Sequence, residues 1–182
     1  MTKKILPLFS FLLAAVFAIS AADAPRVSRV LMTTVEKRLD ERIQRMWSDN
    51  PLALVGPSRG VYLPGYGIVF TAEMNLATAN ISLMNPTLSD ADKIALHKKK
   101  AERVPQLKTA MKEALIAAAA SLDPVPATDK VTIALILPRY SWEDPTGVPL
   151  QVIVEGTKQQ LLAAQKAGGV AIDQAVKVSE TN

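Results

Sequence analysis

Apolar residues recur every three or four positions from Pro25 to Trp47, at Val27, Leu31, Val35, Leu39, Ile43 and Met46, which predicts an amphipathic helix. Its opposite face carries Glu36, Lys37, Asp40, Glu41 and Arg45, and Asp49-Asn50-Pro51 stops it. The period then changes from about 3.6 to 2. Tyr66, Ile68, Phe70, Ala72, Met74 and Leu76 face one way, and Thr71, Glu73 and Asn75 face the other. That is a strand with one buried and one wetter face. Pro64-Gly65 predicts a bend or bulge just before it.

A long helical pattern follows the connector Asn85-Pro86-Thr87-Leu88. Ser89 with Asp92 three residues on forms a capping-box-like start. Ile94, Ala101, Val104, Leu107, Met111, Leu115, Ala118 and Leu122 then share one side. Pro105 lies inside this pattern and predicts a kink or a split. Ala117–Ala120 is a run of small residues suited to close approach to a sheet, and Asp123-Pro124-Val125-Pro126 ends the segment.

Lys130–Leu137 predicts a second strand, with Val131, Ile133, Leu135 and Leu137 on one face and Tyr140–Trp142 as a less regular continuation. Asp144-Pro145-Thr146-Gly147 is turn chemistry, and Val148–Glu155 alternates again, so a β-hairpin is expected. Thr157 with Gln160 opens a short helix to Ala167, which Gly168-Gly169 ends. Val170–Val178 adds a short helix or edge strand, and the last residues fray. The order helix, strand, long helix, hairpin, helix predicts an α+β fold. The expected architecture is a two-layer sandwich with a mostly antiparallel sheet and helices packed on one face.

The N-terminus says where this domain works. Lys3 and Lys4 precede an uncharged apolar run from Ile5 to Ile19, and Ser20-Ala21-Ala22 supplies the small residues a signal peptidase reads. Residues 1–22 therefore read as a cleavable signal peptide and residues 23–182 as a single domain, exported to a periplasm or to the medium. The apolar run is short of the roughly 20 residues of a spanning helix, although an uncleaved anchor is the alternative. No later stretch is apolar enough to span, so no transmembrane segment is expected after cleavage. Of 21 basic residues, 19 remain once Lys3 and Lys4 are removed, against 17 acidic, so the formal charge falls from +4 to +2. That balance does not suit nucleic acid. The absence of cysteine excludes disulfides, thiolate metal sites and cysteine nucleophiles.

Candidate chemistry is sparse. His97 is the sole histidine and stands beside Lys98, Lys99 and Lys100, where a solvated helix face explains it. One histidine cannot build a multi-histidine metal site. The lysine run with Arg103 could meet an anionic surface, or could simply be solvated. Glu143 and Asp144 are adjacent carboxylates, as are Asp40 and Glu41, but glycosidase pairs must face each other across a cleft. Gly60, Gly65 and Gly67 precede a strand instead of joining a strand to a helix, so they read as a turn or bulge and not as a phosphate loop. No catalytic residue, cofactor-binding residue or metal ligand is nominated. Tyr62, Tyr66, Tyr140 and Trp142 all fall at or near the ends of predicted strands. Together they would make an aromatic patch for a sugar, a peptide or a partner protein, unless they seal the end of the core.

The segment Arg59-Gly-Val-Tyr-Leu-Pro-Gly-Tyr-Gly-Ile-Val-Phe70, with the helix before it and Val-Pro-Leu-Gln-Val-Ile-Val154 after it, resembles a group of uncharacterised exported bacterial proteins. The resemblance implies an extracytoplasmic bacterial protein and brings no activity, cofactor or site residue with it. The expected function is a non-catalytic module that binds an envelope protein or polymer. The rival is an envelope enzyme of unrecognised type, such as a hydrolase, which needs a deep pocket with at least two converging titratable groups. A third reading docks the Lys98–Lys100 face on a membrane.

Overall fold

Ser28 opens the first helix, α1 (Arg29–Arg45), its hydroxyl accepting the Leu31 N–H at 3.2 Å. A computed structural model describes residues 27–50, 53–79 and 87–182, so the expected signal peptide at 1–22 lies outside the described residues. Val35, Leu39 and Ile43 are buried, as their spacing requires. Two carboxylates expected on the wet face turn inward. Glu36 accepts the Gly60 N–H at 2.7 Å and pairs with Arg29 at 3.0 Å, while Asp40 accepts both the N–H and the hydroxyl of Ser58. These bonds hold α1 against β1 (Arg59–Leu63), a strand that the alternation did not predict.

β1 turns through Pro64–Tyr66 into β2 (Gly67–Glu73), pairing antiparallel from Leu63↔Gly67 to Arg59↔Thr71. The expected bend at Pro64-Gly65 is this hairpin turn. Ile68, Phe70, Ala72, Met74 and Leu76 are buried as predicted. Tyr66 lies in the turn instead and does not join that row.

α2 (Asp90–Ala120) begins with the full Ser89/Asp92 capping box and runs for 31 residues without a break. Of the kink or split expected at Pro105, the split does not occur. The ring sits on the exposed side. The helix continues past it without the hydrogen bond that a proline cannot give the carbonyl four residues back. Pro105→Ala should restore that bond. Offset by the looser unfolded chain, the gain should be about 2 kcal/mol, read as a higher urea midpoint. An unchanged or lower midpoint would show that the proline is fully accommodated.

The remaining elements are β3 (Lys130–Ile136), β4 (Gln151–Thr157), α3 (Lys158–Ala167), α4 (Val170–Ala175) and β5 (Lys177–Thr181). Among the described residues the strands form one sheet in the order β1-β2-β3-β4-β5. β2 and β3 are parallel, with α2 as the crossover that a parallel pair needs, and the other pairings are antiparallel. The fold is α+β with a mixed sheet. Val170–Val178 holds both the short helix and the start of the edge strand, and the residues after it, expected to fray, are paired from Ile153↔Ser179 to Gln151↔Thr181.

One face of the sheet presents Phe70, Ile133, Leu135, Val152 and Val154 to a single core, which also contains Leu39 of α1, Leu107 and Leu115 of α2 and Leu161 of α3. Positions on the other face, such as Val61, Leu63 and Ile136, are exposed. A buried lysine of α3 closes the segment that follows α2. Lys158 Nζ donates to the carbonyls of Leu122, Asp123 and Val125 at 2.8, 3.0 and 2.8 Å, just past the negative end of the helix. Among the described residues, no helix is long and apolar enough to cross a membrane.

Candidate functional site

The hairpin of β3 and β4 closes through residues 137–150, a connection at the length where a loop without secondary structure of its own usually serves a function. Its two feet are tied by the Leu137 N–H to the Leu150 carbonyl at 2.7 Å. Leu137 and Val148 anchor it in the core. The turn forms one residue later than its chemistry predicts: the Val148 N–H bonds the Pro145 carbonyl at 3.4 Å with Gly147 third at a positive φ of 73°, while Asp144 accepts the Thr146 N–H at 2.8 Å just before it. Tyr140–Trp142 does not extend the strand. The Glu143 N–H bonds the Tyr140 carbonyl at 3.0 Å, closing a tight turn. The Tyr140 and Trp142 rings stack with centroids 5.3 Å apart and planes 7° apart. Both remain exposed, at 51% and 40%.

A buried ion pair fastens this turn to α2. Lys100 Nζ donates to both oxygens of Glu143, at 2.6 and 2.8 Å, and the two side chains are 3% and 2% exposed. Either charge alone would be costly to bury, so the loop cannot leave the helix without separating or rehydrating the pair. The same ammonium lies 5.7 Å from the Tyr140 ring centroid, within cation–π range. His97, one turn earlier on α2, is half-buried and not solvated as expected. Its Nδ1 and the Nη1 of Arg139 are buried with no hydrogen-bond partner among the described residues. The Thr146 N–H, followed by its hydroxyl, holds the Asp144 carboxyl below the usual range; partial desolvation opposes this, and positive charge on His97 and Arg139 adds to it.

The four aromatic residues nominated from the sequence divide into two pairs. Tyr62 is half-buried at the other end of β3, donating its hydroxyl to Asp129 at 2.8 Å. Burial first, and then the Asp129 carboxylate, pushes its pKa up. Tyr66 lies near that same end, bonding Thr132 and Glu155 at 3.2 Å each, with Lys130 Nζ 5.4 Å from its ring. Seven residues of β3 separate this end from the Tyr140–Trp142 stack, about 20 Å of strand. The single four-residue patch is therefore replaced by one exposed stack and two tyrosines engaged in local bonds.

The other sequence candidates resolve as structural contacts. Lys98 faces Glu102 at 3.9 Å, Lys99 pairs with Asp49 at 2.6 Å, and Lys100 is buried, so the lysine run presents no open basic face. Arg103 donates to the Leu76 carbonyl at 2.6 Å, pairs with Asp49 and lies 4.7 Å from the Trp47 ring centroid. Glu143 and Asp144 diverge, one buried and one exposed. Asp40 holds Ser58 while Glu41 pairs with Arg45 at 2.7 Å. Gly65 and Gly67 serve the β1–β2 turn. Among the described residues, no group of three or more His, Asp or Glu side chains could hold a metal ion.

Four carboxylates are held below the usual range. They are Asp144, Asp49 through its bond to Lys99, Asp90 through its bond to Lys93, and Glu155, where partial burial pushes upward but Lys130, Tyr66 and Lys177 together outweigh it. A lowered folded pKa contributes stability that is present above the unfolded value and lost as pH falls through the folded one. The urea midpoint should therefore hold from neutral pH down to about 5 and decline below about 4. A midpoint that stayed level in that acid range would contradict these pairings.

No family model, curated protein or solved structure matches the chain. The sequence reading weighed Lys100 within the lysine run and Glu143 beside Asp144, not with each other, and did not consider Arg139. For Lys100 a signal existed, because it falls on the stripe Leu96, Lys100, Val104, Leu107 that α2 buries.

Proposed function

We propose that this chain is an exported, non-catalytic binding module that captures an envelope protein or polymer, in a periplasm or outside the cell, through the Tyr140–Trp142 stack. The observation that carries the reading is an exposed aromatic pair on a turn pinned by a fully buried ion pair. Such rings offer a large contact area, and here little side-chain freedom remains to be lost on binding. Leu150, at the second foot of the loop, adds exposed apolar surface. Export rests on Lys3, Lys4, the apolar run Ile5–Ile19 and the small residues at 20–22. The resemblance of the Arg59–Phe70 segment to exported bacterial proteins agrees with it.

The rival hydrolase reading draws less support. Lys100 and Glu143 bind each other and have no exposed surface to offer a substrate. The cavity between α1 and α2 is lined by apolar side chains, two arginines and a serine, without a carboxylate, lysine or histidine, and where titratable groups do gather, at Lys130, Glu155, Asp173 and Lys177, they line an open surface groove in which Glu155 is paired with both lysines.

Tryptophan fluorescence tests the proposal. Trp142 is exposed, whereas the second tryptophan, Trp47, packs under Arg103 and bonds Gln106. Titration with isolated cell-wall polymer, and separately with solubilised envelope protein, should shift the emission to the blue in one of the two arms. Trp142→Ala, which removes the reporter and is therefore compared with the unmodified chain by calorimetric titration, should weaken that binding about 30-fold, the loss of a typical interface anchor. Binding that survives Trp142→Ala unchanged would refute the assignment of this face.

A further inference from the structure

α1 and α2 are held apart by an apolar crevice of about 80 Å³. Its walls are Val35 and Leu39 of α1 and Ala114 and Ala118 of α2, and Phe70 and Ile133 of the sheet also line it. The alanines create the space, because a side chain ending at Cβ cannot reach across to α1. A cavity of this size exceeds a single-water site, and its apolar walls give water nothing to bond. It is about half the volume of a dry cavity known to take up benzene, so a few methylene groups fit inside.

The rim is polar and positive. Arg42 donates to the Ala110 carbonyl at 3.3 Å and pairs with Glu113 at 3.1 Å, which accounts for its charge. Arg38 is different. It is exposed and donates to the Ser121 hydroxyl at 2.8 Å, and no carboxylate lies within ion-pair distance of it among the described residues. The carbonyls just past the end of α2 do not draw on its charge either, because Lys158 occupies those of Leu122, Asp123 and Val125.

We propose that this crevice binds a small amphipathic carboxylate, its alkyl chain between the helices and its head on Arg38. The apolar walls select the chain, and Arg38, without an ion-pair partner among the described residues, selects the charge. A neutral head would leave the guanidinium as it is and gain nothing from it. The site lies on α1 and α2, apart from the β3–β4 loop, and does not depend on the function proposed for that loop.

The probe is butanoate, whose three-carbon tail matches a space for a few methylene groups, with 1-butanol as its neutral counterpart, titrated calorimetrically into the chain from residue 23 onward. Butanoate should bind saturably, about tenfold more tightly than butanol. That ratio reflects one charge-assisted contact. Arg38→Gln should bring butanoate down to the butanol level and leave butanol unchanged. Ala114→Leu should abolish both by filling the slot. Ala117→Leu, at an exposed position on the same lining, provides a second block that does not test the core. Trp142→Ala should leave butanoate binding intact. No saturable binding of butanoate, equal affinity for butanoate and butanol, or binding that persists in both leucine variants while they remain folded would overturn the proposal.

Discussion

Lys100→Met should destabilise the protein by about 3–5 kcal/mol, because it leaves the Glu143 carboxylate buried without a partner. The effect should appear as a much lower urea midpoint at neutral pH. The Lys100→Met/Glu143→Leu double variant should recover most of the loss, since replacing a whole buried pair with apolar side chains of similar volume is often neutral or stabilising. The double variant also separates stability from function. It keeps Tyr140 and Trp142 but removes the bidentate bond that fixes their turn on α2. If the pair serves only to fasten the platform, the double variant folds while its aromatic turn is less firmly held. Equal stability of the single variant and the unmodified chain would mean that Glu143 readily reaches water, and the pinned-turn argument would fall.

Gly67→Ala should also be severe, costing about 3 kcal/mol or more. Gly67 begins β2 with φ at 132°, in the region where a side chain is strained. A β-carbon there would overlap the Lys130 carbonyl oxygen and lie 2.6 Å from the Lys130 nitrogen. Both are backbone atoms of the neighbouring parallel strand and cannot rotate away. The first rung of the β2–β3 pairing, Gly67↔Lys130, would have to open. Gly65→Ala is the control. Its φ of 80° carries a conformational cost of about 1–2 kcal/mol, but nothing lies within 4 Å of the added carbon. Similar midpoints for the two variants, measured by urea unfolding, would show that crowding at Lys130 is relieved at little cost.

The fold was legible where one period ran uninterrupted. The buried residues of α1, the alternation from Ile68 to Leu76, the Ser89 and Thr157 capping boxes and the face of β3 follow from spacing alone. β1 was not legible, because its five residues alternate between exposed and half-exposed, and a strand at the sheet edge has no fully buried row to reveal it. The β5 strand is legible only in its first residues for the same reason: Ser179–Thr181 look like a fraying tail until β4 pairs with them. Pro105 misled because its ring faces solvent, where the helix absorbs one missing bond. Glu36 and Asp40 misled because their partners are backbone N–H groups of a strand that the pattern did not show.

The candidate site was half legible. Tyr140 and Trp142 could be nominated as aromatic residues near a strand end, but their stacking depends on the turn that Glu143 closes. Grouping them with Tyr62 and Tyr66 failed on strand direction, since the β1–β2 turn lies near the start of β3 and the long loop follows its end. A lysine on the buried stripe of α2 announces that some acid must meet it. That the acid is Glu143, 43 positions later, is a fact of the tertiary fold.

The proposed binding role is tested most directly by paired affinity capture from an envelope extract of the source cell, using the tagged chain from residue 23 onward beside its Tyr140→Ala/Trp142→Ala variant. The account predicts a reproducible protein or polymer on the unmodified chain that is lost from the variant, with the urea midpoints of the two within about 1 kcal/mol of each other in stability, as expected for exposed side chains. The same partner retained by both, or none on either while both are folded, would contradict it.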